Sequence, residues 1–173
     1  MPNKLTAREV FSNPIHFLAY GFGSGLFPKV PGTAGTVAGV IVYLLLTPVA
    51  YWLYLLITLI LFLAGIFICG YSAKKMGVED PGAVNWDEVV GYLITMAVVP
   101  HALRMPYGWL WILLGFVLFR FFDILKPWPI RWLDRNLKGG LGIMLDDVAA
   151  AIPAAAILYI GMLVLVKSGI HWT

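Results

Sequence analysis

The chain has 173 residues, of which 61% are hydrophobic and only 12% charged, with a formal net charge of +3. Soluble domains carry about a quarter charged residues, so a solvated globule is excluded, and the small positive excess without a basic run excludes a nucleic-acid binder. The length fits one domain, 1–173, and 44 consecutive uncharged residues over 30–73 mark an integral membrane protein.

Residues 1–20 read as a short helix lying on the membrane rather than crossing it. Thr6 and Glu9 give the T-x-x-E pattern of a capping box. The opening M-P-N-K-L-T-A-R-E-V carries Lys4 and Arg8 but no apolar core of signal-peptide length. Residues 21–36, G-F-G-S-G-L-F-P-K-V-P-G-T-A-G-T, predict an ordered loop leading into a helix, with Thr33 or Thr36 as N-cap. The apolar run 37–46 is short before Pro48, so the first span must begin inside that loop. Residues 49–70 supply a second span at about 20 residues per crossing, closed by Lys74 and Lys75.

A polar loop, 77–85, precedes Trp86-Asp87-Glu88, which opens a third and shorter apolar run, 89–103. Pro100, Arg104, Pro106 and Gly108 mark a turn. The fourth span, 109–125, carries Arg120 and Asp123 in its last turns, and the fifth covers 143–166 with a kink expected at Pro153. The chain therefore reads as all-α and integral to the membrane, with about five spans plus an N-terminal interfacial helix. With the N-terminus in the cytoplasm, ten of the twelve Lys and Arg residues fall on the inner side, as the positive-inside rule requires.

Residues 120–147 hold nine of the 21 charged residues in 28 positions, between long apolar runs. Pro127 and Pro129 stop the incoming helix, and Gly139, Gly140 and Gly142 loosen the backbone before Asp146 and Asp147. The expectation is a charged loop on the aqueous side joining two spans. Five carboxylates, Asp87, Glu88, Asp123, Asp146 and Asp147, stand at the inner ends of three spans. If those spans are neighbours, their ends converge as an oxygen-rich cluster suited to Mg²⁺. Helix capping explains four of the five equally well. Asp123 opposes the macrodipole near a helix C-terminus and has no such explanation.

Arg120, Asp123 and Lys126 follow at i, i+3 and i+6, with Arg131 and Arg135 after the prolines. Cations beside carboxylates suit a phosphate monoester, and a snorkelling belt on anionic headgroups is the alternative. The belt is preferred for Arg135 and Lys138, and function for Arg120 and Lys126. The glycine-rich loop lets backbone N–H groups approach an anion, yet it lacks the G-K-[ST] of a Walker A loop. Cys69 stands alone in an apolar run with no C-x₅-R pattern. The three histidines are scattered and belong to no phosphatase motif.

Four blocks carry a resemblance: G-F-G-S-G-L-x-P-x-x-P-G-T-x-G-T (21–36), W-D-E-x-x-G (86–91), F-R-x-F-D-x-x-K-P-W-P-I-R-W-x-D-R (119–135) and G-G-x-G-I-M-x-D-D (139–147). In this order they resemble the phosphatidylglycerophosphatase A family. The resemblance implies a compact helical bundle and a bacterial, Mg²⁺-dependent lipid phosphatase of the inner membrane. Its substrate would be phosphatidylglycerol phosphate and its products phosphatidylglycerol and inorganic phosphate. The resemblance does not assign the individual carboxylates. Read from the residues, Mg²⁺ is expected on Glu88, Asp123, Asp146 and Asp147, with Asp87 activating a water. An aspartyl-phosphate intermediate is the alternative to direct attack by that water. Arg120 and Lys126 would bind phosphate, assisted by Ser24, Lys29, Thr33, Thr36 and Arg131. A CDP-alcohol phosphotransferase would need D-G-x-x-A-R, which is missing. A cation transporter would need charges near the bilayer midplane, where the third and fifth spans have none.

Overall fold

The structure, a computed structural model, describes residues 5–79, 81–105 and 107–167. Lys4 and Pro106 lie outside the described residues. Among those described, all regular structure is helical, in the order α1 (Ala7–Ser12), α2 (Pro14–Ala19), α3 (Pro31–Leu46), α4 (Tyr51–Met76), α5 (Trp86–Met96), α6 (Gly108–Leu125), α7 (Ile130–Asn136) and α8 (Gly139–Lys167).

The expected N-terminal helix is two helices. The capping box forms as its sequence requires: Glu9 N donates to Thr6 Oγ1 at 3.3 Å, and Thr6 N donates to Glu9 Oε2 at 2.8 Å. Asn13 and Pro14 then break the run. The Asn13 side chain accepts from Ile15 N at 2.9 Å, and Pro14 takes the first position of α2, where its missing N–H costs nothing.

Neither Thr33 nor Thr36 caps α3. Pro31 starts that helix one turn earlier and Val30 holds the N-cap position without a side-chain bond. Thr36 is instead buried inside the helix, its hydroxyl donating to Gly32 O at 3.1 Å. The glycines at 139–142 also do not loosen the chain, because they form the opening turn of α8. Asp146 and Asp147 therefore lie about two turns into α8, beyond the reach of its N-terminal dipole.

Three helices, α4, α6 and α8, are long and apolar enough to cross a membrane; α3 and α5, with 16 and 11 residues, are shorter. The five expected spans are thus three long helices and two short ones. The shortness of α5 has a structural reason. It is wrapped by α3, α4, α6 and α8, and nine of its eleven residues are buried. An element surrounded by protein does not have to match the bilayer, provided that its backbone groups find partners.

Two tyrosines supply those partners. The last turn of α5 tightens, with Ala97 N bonding Ile94 O, and the Leu93 carbonyl left over accepts Tyr54 OH at 2.6 Å. Past the helix end, Tyr43 OH donates to Val99 O at 2.6 Å and accepts from Ala102 N at 3.1 Å. Tyr43, Tyr54 and Tyr92 meet edge to face in the core around these bonds. The irregular segment after α5 can therefore sit inside the bundle.

Candidate functional site: a carboxylate cluster at one end of the bundle

Helix α8 packs against α4, α5, α6 and α7. The beginnings of α5 and α8 meet the end of α6 around it. Asp87 and Glu88 occupy the first turn of α5, Asp147 lies on α8, and Arg120 and Asp123 lie on the last turns of α6. One carboxylate oxygen from each of Asp87, Glu88 and Asp147 falls within 4.8 Å of the other two. Asp87 and Asp147 are buried, and the Glu88 side chain is only 13% exposed.

Close helix approach makes this convergence. A Cβ on Gly91 would come within 2.7 Å of the Phe119 ring and 3.2 Å of Asp147 Cβ, so only glycine lets α5 sit this near α6 and α8. On the opposite side, a Cβ on Gly32 would collide with Glu88 Oε1 and lie 3.1 Å from both terminal nitrogens of Arg120. The first turn of α3 is thereby pressed against the cluster and its arginine.

Arg120 pairs with Asp123 and lies 3.7 Å from Glu88 Oε1. Asp123 also faces Asp147. Lys126, expected as a phosphate clamp, stands at the C-cap of α6. Its ammonium pairs with Asp146 and donates to Asp134 Oδ1 at 2.8 Å, tying α6 to α7 and α8. Burial alone would lower its pKa, but the two carboxylates outweigh burial and the net shift is upward.

Of the expected metal ligands, Glu88 and Asp147 are brought together and Asp123 stands beside them. Asp146 points instead to Lys126, and Asp87 joins the group in its place. Ser24 is half-buried and accepts from Asn85 Nδ2 at 3.0 Å, whereas Lys29 is exposed. Arg131 donates from Nη2 to Leu125 O at 3.3 Å on an exposed face. Two residues were missed from sequence. Asn85 is fully buried and donates to both Ser24 Oγ and Pro31 O, pinning the glycine-rich loop to the start of α5. Asp134 shares Lys126. The signal for Asn85 was its place directly before W-D-E; that for Asp134 was its fixed place in the R-W-x-D-R of the block over 119–135.

The donor set suits a hard divalent cation: three carboxylates from two helices offer oxygens at mutual coordinating range. Two buried oxygens, Glu88 Oε2 and Asp147 Oδ2, have no hydrogen-bond donor. Buried carboxylates gathered without enough donors call for a cation.

Fold and site together define a membrane protein with an acidic, metal-competent centre beside an arginine, at one end of its helices. The family model described as phosphatidylglycerophosphatase A matches residues 17–162, and the chain belongs to that family of phosphatases. It is similar to phosphatidylglycerophosphatase A of Escherichia coli (strain K12), at 45% identity over 96% of this chain and 90% of the relative. The protein of that name from Haemophilus influenzae is 48% identical over 85% and 88% of the two chains. A putative phosphatidylinositol-3-phosphatase of Bacteroides thetaiotaomicron is 38% identical over 76% and 83%. No solved structure matches the chain.

Proposed function

We propose that this protein hydrolyses phosphatidylglycerol phosphate to phosphatidylglycerol and inorganic phosphate in the inner membrane of a bacterium, with its active site on the cytoplasmic side. The observation that carries the proposal is the buried Asp87–Glu88–Asp147 group beside Arg120 in a chain of this family. The excess of Lys and Arg at the same end supports the cytoplasmic orientation.

Asp87, Glu88 and Asp147 would hold Mg²⁺, which supplies charge neutralisation at the phosphoryl oxygens and orientation of the nucleophile. Arg120 binds the phosphate from the side of α6. Asp123 fixes the guanidinium so that its free donors face the cluster, a positioning role rather than that of a ligand. Asp87 takes the proton of the attacking water. Water oxygen bonds to phosphorus as the phosphorus–oxygen bond to the glycerol carbon breaks, and the departing oxygen leaves as an alcohol with that proton. The uncapped first turn of α3, held against Arg120 by Gly32, adds backbone N–H groups favourable to an anion.

The test is phosphate release by the purified full-length chain from phosphatidylglycerol phosphate, with Mg²⁺ and with chelator. Phosphatidylinositol 3-phosphate is the competing substrate suggested by the third relative. Release from the first lipid in Mg²⁺, abolished by chelator, is expected. Faster release from the inositol lipid would overturn the assignment of substrate, and release undiminished by chelator would overturn the metal.

A further inference from the structure

A groove of about 730 Å³ runs down the outer face of α3 from the glycine-rich loop, within the size range of small-molecule sites, about 300–1,000 Å³. At its upper end stand Ser24 and Thr33; from there to Leu45 its lining is wholly apolar. Ala34 and Ala38, one turn apart, are half-buried, while Val37 and Ile41 beside them are exposed. Small side chains form a floor between larger ones.

We propose that this groove holds one acyl chain of the substrate lipid, with the headgroup delivered over the first turn of α3 to the carboxylate cluster. The proposal rests on the lipid-phosphate reading above. Two features choose this occupant. First, the groove adjoins the site across the first turn of α3: Thr33 lines it, while the adjacent Gly32 lies against Glu88 and Arg120. Asn85 ties Ser24 at the groove mouth to the start of α5, the helix that bears Asp87 and Glu88. A molecule that fills both must be polar at one end and apolar at the other. Second, the length fits. From Thr33 to Leu45 the helix rises about 18 Å at 1.5 Å per residue, against about 15 Å for half of a hydrocarbon core about 30 Å thick. The groove therefore crosses one leaflet, the depth reached by a chain whose headgroup lies at the cytoplasmic surface.

The probe is phosphatidylglycerol phosphate with a photoreactive diazirine midway along one acyl chain, added to the purified full-length protein in micelles. Crosslinks should concentrate in residues 33–45. Unlabelled phosphatidylglycerol phosphate should suppress them, and phosphatidylcholine should not. Ala38→Phe, which fills the floor, should lower crosslinking about tenfold, because several methylene groups lose their contact surface. Ala34→Leu gives a smaller obstruction should the phenylalanine disturb folding. In the same variants the ratio of kcat/KM for long-chain over short-chain substrate should fall by about tenfold, whereas Leu59→Phe, on the exposed face of α4, should leave it unchanged. Crosslinks spread evenly over α4, α6 and α8, or suppressed equally by phosphatidylcholine, would identify ordinary surrounding lipid and overturn the groove. Labelling at 33–45 without any phosphate release would uphold the groove and overturn the phosphatase reading instead.

Discussion

Arg120 lies 3.7 Å from Glu88, a residue of the neighbouring helix, while pairing more closely with Asp123 one turn along its own. One guanidinium thus stands between the carboxylate that the metal reading needs and the one that orients it. The two acids consequently predict different phenotypes. Glu88→Gln or Asp147→Asn removes a negative charge from a crowded buried group. In chelator, thermal stability should hold or rise, because like-charge repulsion is relieved. Phosphate release in Mg²⁺ should fall by at least about 10²-fold. Asp123→Asn should instead lower stability, since Arg120 loses its nearest counter-charge. Melting in chelator together with turnover of the same preparations checks both; a helix-capping role for Glu88 predicts lost stability with turnover kept.

Lys126 joins three helices through Asp134 and Asp146, so its loss should be felt in stability. Lys126→Met should destabilise by about 1–3 kcal/mol, between the values for exposed and buried pairs. The pKa of Lys126 is raised in the folded protein, so its contribution is fully present below the unfolded value of about 10.4. That contribution is lost as pH rises through the higher folded value. The stability difference between wild type and Lys126→Met should thus be constant from neutral pH to about 10 and shrink only above it, as read by thermal melts in alkaline buffers.

Tyr43→Phe tests the account of the broken backbone after α5. The variant keeps the ring and its contacts but strands Val99 O and Ala102 N in the core. A loss of about 1–3 kcal/mol is expected for such buried groups. Hydrogen exchange should locate the loosening at 97–105, and an unchanged melting point would mean that these groups find other partners.

His16 gives a pH dependence of the opposite sense to that of Lys126. Its Nδ1 lies 2.8 Å from Ser72 Oγ, and the ring is buried against Tyr71. Burial, reinforced by the nearby Lys75 and only partly opposed by Glu9, holds its pKa below the ordinary value of 6.5. Between the two values the unfolded chain binds a proton that the folded chain refuses. Stability is therefore fully present above about 6.5 and declines as pH falls through the lower folded value. Melting points at pH 7.5 and 5.5 should differ more in wild type than in His16→Asn.

Much of the site was legible before any coordinates, because its parts are local. Asp87 and Glu88 open an apolar run, and Arg120, Asp123 and Lys126 recur at helical spacing before two prolines. In a chain with so few charges, each marks an aqueous end. Hydrophobic run length gave α4, α6 and α8 for the same reason: a lipid-facing helix must be apolar over its whole crossing. The capping box at Thr6 and Glu9 formed because both partners lie within one turn.

Apart from the caps of α3, what failed depended on partners distant in the chain. Run length overstates α5 as a span, since its exposure to lipid was removed by α3, α4, α6 and α8, and Tyr43 and Tyr54 could then serve its loose backbone from 39 to 59 residues away. Thr33 and Thr36 looked like caps, but Pro31 was already placed to start α3. Asp146 and Asp147 are adjacent in sequence and equivalent in composition. On a helix, neighbouring side chains point about 100° apart, so one turned to Lys126 and the other to Glu88. The sequence determined that a charged end would exist and which residues stock it. Only the packing of α5, α6 and α8 decided which carboxylates meet and which are held apart by a lysine, because helix rotation and approach are set by side chains on the facing helices.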